Sequence, residues 1–311
     1  AHSDNTRLVT PQGDGRNNII NYITMNTEGN SADFGDCTNS VIEKGTTGST
    51  TRLITAGGTD SPTSQVNTIQ YLTIQSLGNA QDFGDLNFTP RSTAGASNGV
   101  RGCFAGGLQF YGAPSPSNSA FNNIDYVTIA STGNATDFGD ATQQGRQPAG
   151  NCNRRRAFLA GGDDGPSPAT GTNRIEFVEI STTGNGIDFG DLHATVVSCP
   201  QGVGSSTRAL QGGGGPSGGL LTRINSFQYD SLGDATDFGD LTVARRLMGA
   251  VSDGQRGVWM GGAGSPADVN TIDFVEIASA GNATDFGDCT QAQQAAQSGG
   301  DAHQGLDEFF P

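Results

Sequence analysis

Short apolar runs alternate with Gly-, Ser- and Asp-rich breaks along the whole chain, and no run has helical period or length. The clearest runs have the form I-x-(Y/F)-V-x-I, as in IDYVTI at 124–129 and IDFVEI at 272–277. β-Branched and aromatic residues fill them, so they are predicted strands. In INYITM at 20–25 both faces are apolar: Ile20 and Tyr22 point one way, Ile23 and Met25 the other. A sheet with one wet face would leave alternate positions polar, so such a strand needs a neighbour on each side.

The runs belong to a repeat. DFGD occurs six times, starting at Asp33, Asp82, Asp137, Asp188, Asp237 and Asp285, at intervals of 48 to 55 residues. A period near ~50 residues marks a propeller, a solenoid or an array. Each unit has an Arg-led strand ending in glycines, such as TRLITAGG at 51–58, then a variable loop. The I-x-(Y/F)-V-x-I strand, an SxGNA turn and DFGD follow, and a small polar run returns to the next Arg. The ends complement each other. TRLVTPQG at 6–13 matches a second strand without a first, and CTQAQQAAQSGGD at 289–301 a first strand without a second. Pairing of these ends in one blade would close a ring. The predicted fold is therefore all-β: a six-bladed β-propeller of four-stranded blades over residues 1–303, with a tail at 304–311. Radial stacking buries both faces of each sheet and protects its edges.

The repeat resembles the kelch β-propeller family. The glycine doublet that closes the second strand stands at Gly57-Gly58, Gly106-Gly107, Gly161-Gly162, Gly213-Gly214 and Gly261-Gly262. The third-strand aromatic stands at Tyr22, Tyr71, Tyr126, Phe177 and Phe274. The chain departs from the kelch pattern in three places: the Phe of DFGD replaces a fourth-strand Trp, Ser226 replaces the aromatic of blade 5, and Gln12-Gly13 replaces the doublet of blade 1. The wording GNATDFGDLT also resembles repeat proteins of marine tailed phages, cyanophages especially. That resemblance implies a virion- or fibre-associated protein.

Net charge is −15 and the pI about 4.3, so duplex nucleic acid and anionic bilayers would be repelled. No apolar run is long enough for a membrane-spanning helix. The sequence at 1–10 has neither basic region nor apolar core, so it does not read as a signal peptide. Five cysteines, Cys37, Cys103, Cys152, Cys199 and Cys289, form no CxxC and read as small buried thiols. NxT sequons fall at Asn87, Asn134 and Asn282, two of them inside the repeated turn.

Features present in every unit read as scaffold. The DFGD glycines suit tight turns and the DFGD phenylalanines suit packing between blades. One Arg opens each second strand: Arg7, Arg52, Arg101, Arg156, Arg208 and Arg256. These are expected to pair with a DFGD carboxylate of their own or the next blade. A ring of Asp around a cation is the alternative, but DFGD has no DxDxDG loop, so no metal is assigned.

No catalytic set is assigned. His2, His193 and His303 form no metal-binding pattern, and no GxSxG or Ser/His/Asp order is convincing. GGGGPSGG at 212–219 lacks the Lys-Ser/Thr ending of a phosphate loop. Arginines are spread by the repeat rather than clustered as a sialidase would need, and no cofactor is expected. Carboxylates are plentiful, which leaves a glycosidase pair as a further alternative.

Binding is expected where the repeat breaks, on the loop after the glycine doublet. The candidates are Phe110 and Tyr111 in blade 3, and Asp163 and Asp164 in blade 4. Phe309 and Phe310 in the tail are candidates for docking to a partner. The expected function is a non-enzymatic exterior module at a virion surface or outside the cell, part of a larger assembly, whose partners are other virion or surface proteins and possibly glycans. The alternative is a secreted or cell-surface carbohydrate-binding propeller.

Overall fold

A computed structural model describes residues 2–3, 6–11, 18–24, 27, 30–61, 64–110, 118–145, 148–163, 171–196, 201–215, 219–289 and 292. These form six antiparallel four-stranded sheets and two short two-stranded ribbons, with no helix among the described residues. Blade 1 comprises His2–Ser3, Arg7–Pro11, Ile19–Thr24 and Ala32–Asp36. Blade 2 comprises Gly45–Gly48, Arg52–Ala56, Thr68–Thr73 and Gln81–Asp85. Blades 3 to 6 repeat that order: an inner strand, an Arg-led second strand, the apolar third strand and an outer strand that carries DFGD. The fold is the six-bladed propeller that the repeat implies.

The core lies between the blades. Six apolar clusters correspond to six seams. At the first, Val9, Ile20 and Phe34 of blade 1 meet Leu53, Leu72 and Ile74 of blade 2. At the sixth, Val258, Ile272 and Phe286 of blade 6 meet Leu8 and Ile23 of blade 1, which closes the ring. This is why the third strand is apolar on both faces: each face belongs to a different seam. Blade 5, with Ser226 in the aromatic position, has its rings on the opposite face. Phe227 and Tyr229 join Phe158, Phe177 and Phe189 of blade 4 in one aromatic cluster.

The inner strand of blade 1 differs from the expected closure. His2–Ser3 takes that place, with His2 opposite Val9 and Ser3 opposite Leu8. It packs against the inner strands of blades 2 and 6, so blade 1 is built from one continuous stretch of chain. The strand-bearing part of the 289–301 segment lies outside the described residues, as does the tail.

The axis is filled. The inner strands Gly45–Gly48, Ala94–Ser97, Ala149–Cys152, Gln201–Gly204 and Gly249–Ser252 are buried throughout. A Cβ on Gly95 would collide with the carbonyl oxygen of Thr46. Small residues are needed there because six inner strands converge on one line.

Candidate functional site

Three sets of contacts built on the repeat join one blade to the next. The first uses the arginines. Nη1 of Arg52 donates to the carbonyl oxygen of Ile129 at 2.9 Å, that of Arg101 to Ile180 at 3.1 Å and that of Arg208 to Ile277 at 2.8 Å. Arg7 and Arg156 reach Ile74 and Tyr229 in the same way. Each acceptor lies just beyond the third strand of the following blade. The guanidinium also lies over the third-strand ring of its own blade, 4.7 Å from the Tyr71 centroid for Arg52 and 4.8 Å from Phe274 for Arg256.

This corrects the expected pairing of Arg with DFGD. The third strand separates the two within a blade: Arg52 is in register with Thr73, whereas Asp82 is in register with Gln70. The first Asp of each DFGD is exposed, as at Asp33, Asp82 and Asp137. A guanidinium has five donors. Five of the six arginines reach a backbone carbonyl across the seam, and Arg156 and Arg256 pair with Glu179 and Glu276 of their own blade at 2.9 and 3.0 Å.

The second set explains DFGD itself. Its backbone binds the SxGN turn of the next blade: Gly133 N–H donates to Phe83 O at 2.8 Å and Ala135 N–H to Asp85 O at 2.8 Å. The Asp85 N–H donates to Asn134 Oδ1 at 3.1 Å, and the same bond recurs from Asp36 to Asn79 and from Asp240 to Asn282. The outer edge of each such sheet is thereby covered. Gly84, at φ 150°, is required because a Cβ there would meet the Gly133 carbonyl. Sequon residues Asn134 and Asn282 are thus acceptors in a seam.

The third set went unrecognised in the sequence. The variable position of I-x-(Y/F)-V-x-I is Asn21, Gln70, Asp125, Glu176, Asn225 or Asp273, and all six are buried. Four hold the connection that enters their blade. Asp125 accepts from Asn87 N–H at 2.8 Å, Glu176 from Thr142 N–H at 2.6 Å and Asp273 from Thr242 N–H at 3.0 Å. Gln70 accepts from Thr38 N–H at 2.8 Å. The signal was available: an acid or amide at one fixed place inside an apolar strand. Burial pushes the Asp125 carboxyl above its usual range, while the Asn87 bonds oppose that. Asp273 also pairs at 2.9 Å with Arg245, both fully buried, and Arg245 Nη1 donates to Thr271 O at 2.7 Å. Burial lowers the Arg245 pKa and Asp273 counters it.

The second-to-third-strand connections differ from blade to blade. In blade 2, Thr59–Ser61 and Ser64–Gln65 form a ribbon; in blade 3, Leu108–Phe110 and Asn118–Ala120 form another. The ribbons touch, with Gln65 Nε2 donating to Leu108 O at 3.2 Å. Bridges Ile42–Thr59 and Arg91–Leu108 anchor their bases to the connections below. Beside them Phe88 and Phe121, both half-buried, meet with ring centroids 5.0 Å apart and planes tilted by 57°, and Gln109 Nε2 donates to Thr89 Oγ1. In blade 4 the outer strand Ile187–Val196 runs on past DFGD to pair Val196 with Thr172. Blade 6 has only a short bridge, Arg246–Ala263.

Phe110 lies in the blade 3 ribbon. Asp163 is buried at the base of the blade 4 loop, bridged to Gly171, rather than on an exposed loop surface. Tyr111, Asp164, Phe309 and Phe310 lie outside the described residues. Among the described residues, no three His, Cys, Asp or Glu side chains converge as metal ligands. No helix among them is long and apolar enough to cross a membrane. Cys103 and Cys289 are buried thiols whose pKa values desolvation pushes up to about 12 and about 11.

Fold and contacts together define a six-bladed propeller with a filled axis, locked seams and one irregular face. The chain matches no protein-family model and no curated protein sequence.

Proposed function

We propose that the protein is a non-enzymatic structural and binding module on the exterior of a tailed-phage virion, with kelch-like blades as its frame. The paired ribbons over blades 2 and 3 carry this reading. They are a blade-specific feature on a frame whose repeated Arg and Asn groups serve the seams. A half-buried Phe88–Phe121 pair beside Gln109 and Thr89 suits recognition of a protein or glycan surface, since rings give area and amides give direction. The resemblance of GNATDFGDLT to marine phage repeats supports the virion assignment. The charge of −15 suits exposure to solvent in salty water, where screening limits self-repulsion.

Purified particles test the reading. The protein should sediment with them at a fixed stoichiometry and be labelled on intact particles by an antibody to the folded chain. Absence from particles that carry the gene, together with glycan binding by the isolated chain, would replace this assignment with the carbohydrate-binding alternative.

A further inference from the structure

Lys44 is a departure from the repeat, and it meets Cys37 in space. Elsewhere the residue after DFGD is Leu86, Ala141, Leu192, Leu241 or Cys289. The residue before the inner strand is Thr93, Pro148, Pro200 or Met248. At the first seam both places carry reactive groups. Lys44 is fully buried, and its Nζ lies 3.4 Å from Sγ of Cys37, itself buried.

The other buried cation shows what is unusual here. Arg245 has a carboxylate at 2.9 Å and two carbonyl oxygens. The hydrogen-bond partner of Lys44 among the described residues is a thiol sulfur, a weak acceptor. Such a contact does little to offset the loss of hydration. Burial pushes the Cys37 thiol up, and the Lys44 charge and hydrogen bond oppose that shift.

We propose that Cys37 and Lys44 form a reversible, oxidant-dependent N–O–S bridge that fastens the connection between the outer strand of blade 1 and the inner strand of blade 2. Hydrogen peroxide is the oxidant. One equivalent converts the Cys37 thiol to a sulfenic acid and releases water. A second takes up the sulfenic O–H hydrogen and one hydrogen of the Lys44 amine, the N–O bond forms, and two waters leave. Four electrons pass from the pair to the two peroxide bonds, and one oxygen stays between sulfur and nitrogen. Two equivalents of a dithiol reverse the reaction, restoring thiol and amine and releasing that oxygen as water. The bridge would sit in the connection whose Ile42 anchors the blade 2 ribbon at Thr59, so oxidation would stiffen the base of that ribbon.

The test uses the full chain treated with hydrogen peroxide, then cut by a glutamate-specific protease between Glu43 and Lys44. The peptides on either side should stay joined, heavier than their sum by one oxygen and lighter by two hydrogens. Dithiothreitol should separate them. Cys37→Leu and Lys44→Met place residues that other blades tolerate at these positions, so both variants should fold and show no link. The oxidised wild type should melt at a higher temperature than the reduced protein, and the difference should vanish in either variant. Separate peptides after peroxide, with Cys37 found as sulfinic or sulfonic acid and Lys44 unmodified, would overturn the proposal. So would a link that survives in Lys44→Met.

Discussion

The seams and the second-to-third-strand connections obey different rules in this protein. At the seams, the Arg-to-carbonyl bond recurs across five successive blade pairs with almost the same geometry. In the connections, blades 2 and 3 carry touching ribbons, blade 4 a lengthened outer strand and blade 6 a single short bridge. A ring imposes this division. Every blade must meet its neighbours at one angle, so the contact surface is copied. A connection on the rim meets no such constraint and can diverge.

Breaking a seam should therefore cost far more than altering a connection. The largest effect is expected at the buried pair of blade 6. Asp273→Ala leaves Arg245 charged and unpaired in the interior, which should cost about 3–5 kcal/mol in urea unfolding. Asp273→Asn, which can still accept from Thr242, should cost less. A loss below that of an average surface substitution would show that the pair does not hold the seam.

Next comes the close approach at the outer edge. Gly84→Val sets a branched side chain against the Gly133 carbonyl at a φ that favours glycine, and should cost about 1–3 kcal/mol or more. Arg101→Ala removes a charged hydrogen bond to Ile180 and the stacking over Tyr126, and should cost about 1–2 kcal/mol. Arg101→Lys should recover only part, since a point charge cannot reproduce the planar fork.

Asp125 sharpens the comparison through pH. Its folded pKa is raised, so protonation favours the native state. Its contribution is fully present below the unfolded carboxylate range and lost as pH rises through the raised value. Asp125→Asn should flatten this fall when chemical-denaturation stability is measured across that window. An unchanged profile would mean that Asp125 is not desolvated.

The smallest effect on stability belongs to the blade 3 ribbon. Replacing residues 109–119 by a two-residue turn should change stability by about 0.5 kcal/mol or less, as for surface changes outside packed regions. The same variant should lose attachment to its partner in the particle assay above. Loss of the fold instead would make the ribbon part of the frame.

Much of the frame was legible in the residues. Six DFGD copies and the two-faced third strand implied a ring of stacked sheets, because such a strand has no wet side. The DFGD phenylalanines were read as inter-blade packing, and Phe34, Phe83 and Phe138 lie buried in the seam clusters. The partner of the repeated Arg was not legible. Charge suggested the nearest acid in the repeat, but its acceptor is a backbone carbonyl, which carries no mark in a sequence. Asp163 was read as a binding candidate on the loop after the glycine doublet, whereas the bridge to Gly171 draws it inward.

By itself, the order of residues determined the number of blades, the Arg-led, apolar and DFGD strands within each and the places where the repeat fails. These follow from local periodicity, which any stretch of chain displays on its own. Only the tertiary structure decided which groups meet across a seam, that His2–Ser3 completes the first blade, and that Lys44 lies against Cys37. Those contacts arise from packing in three dimensions, and no local pattern records the distance that packing leaves between two atoms.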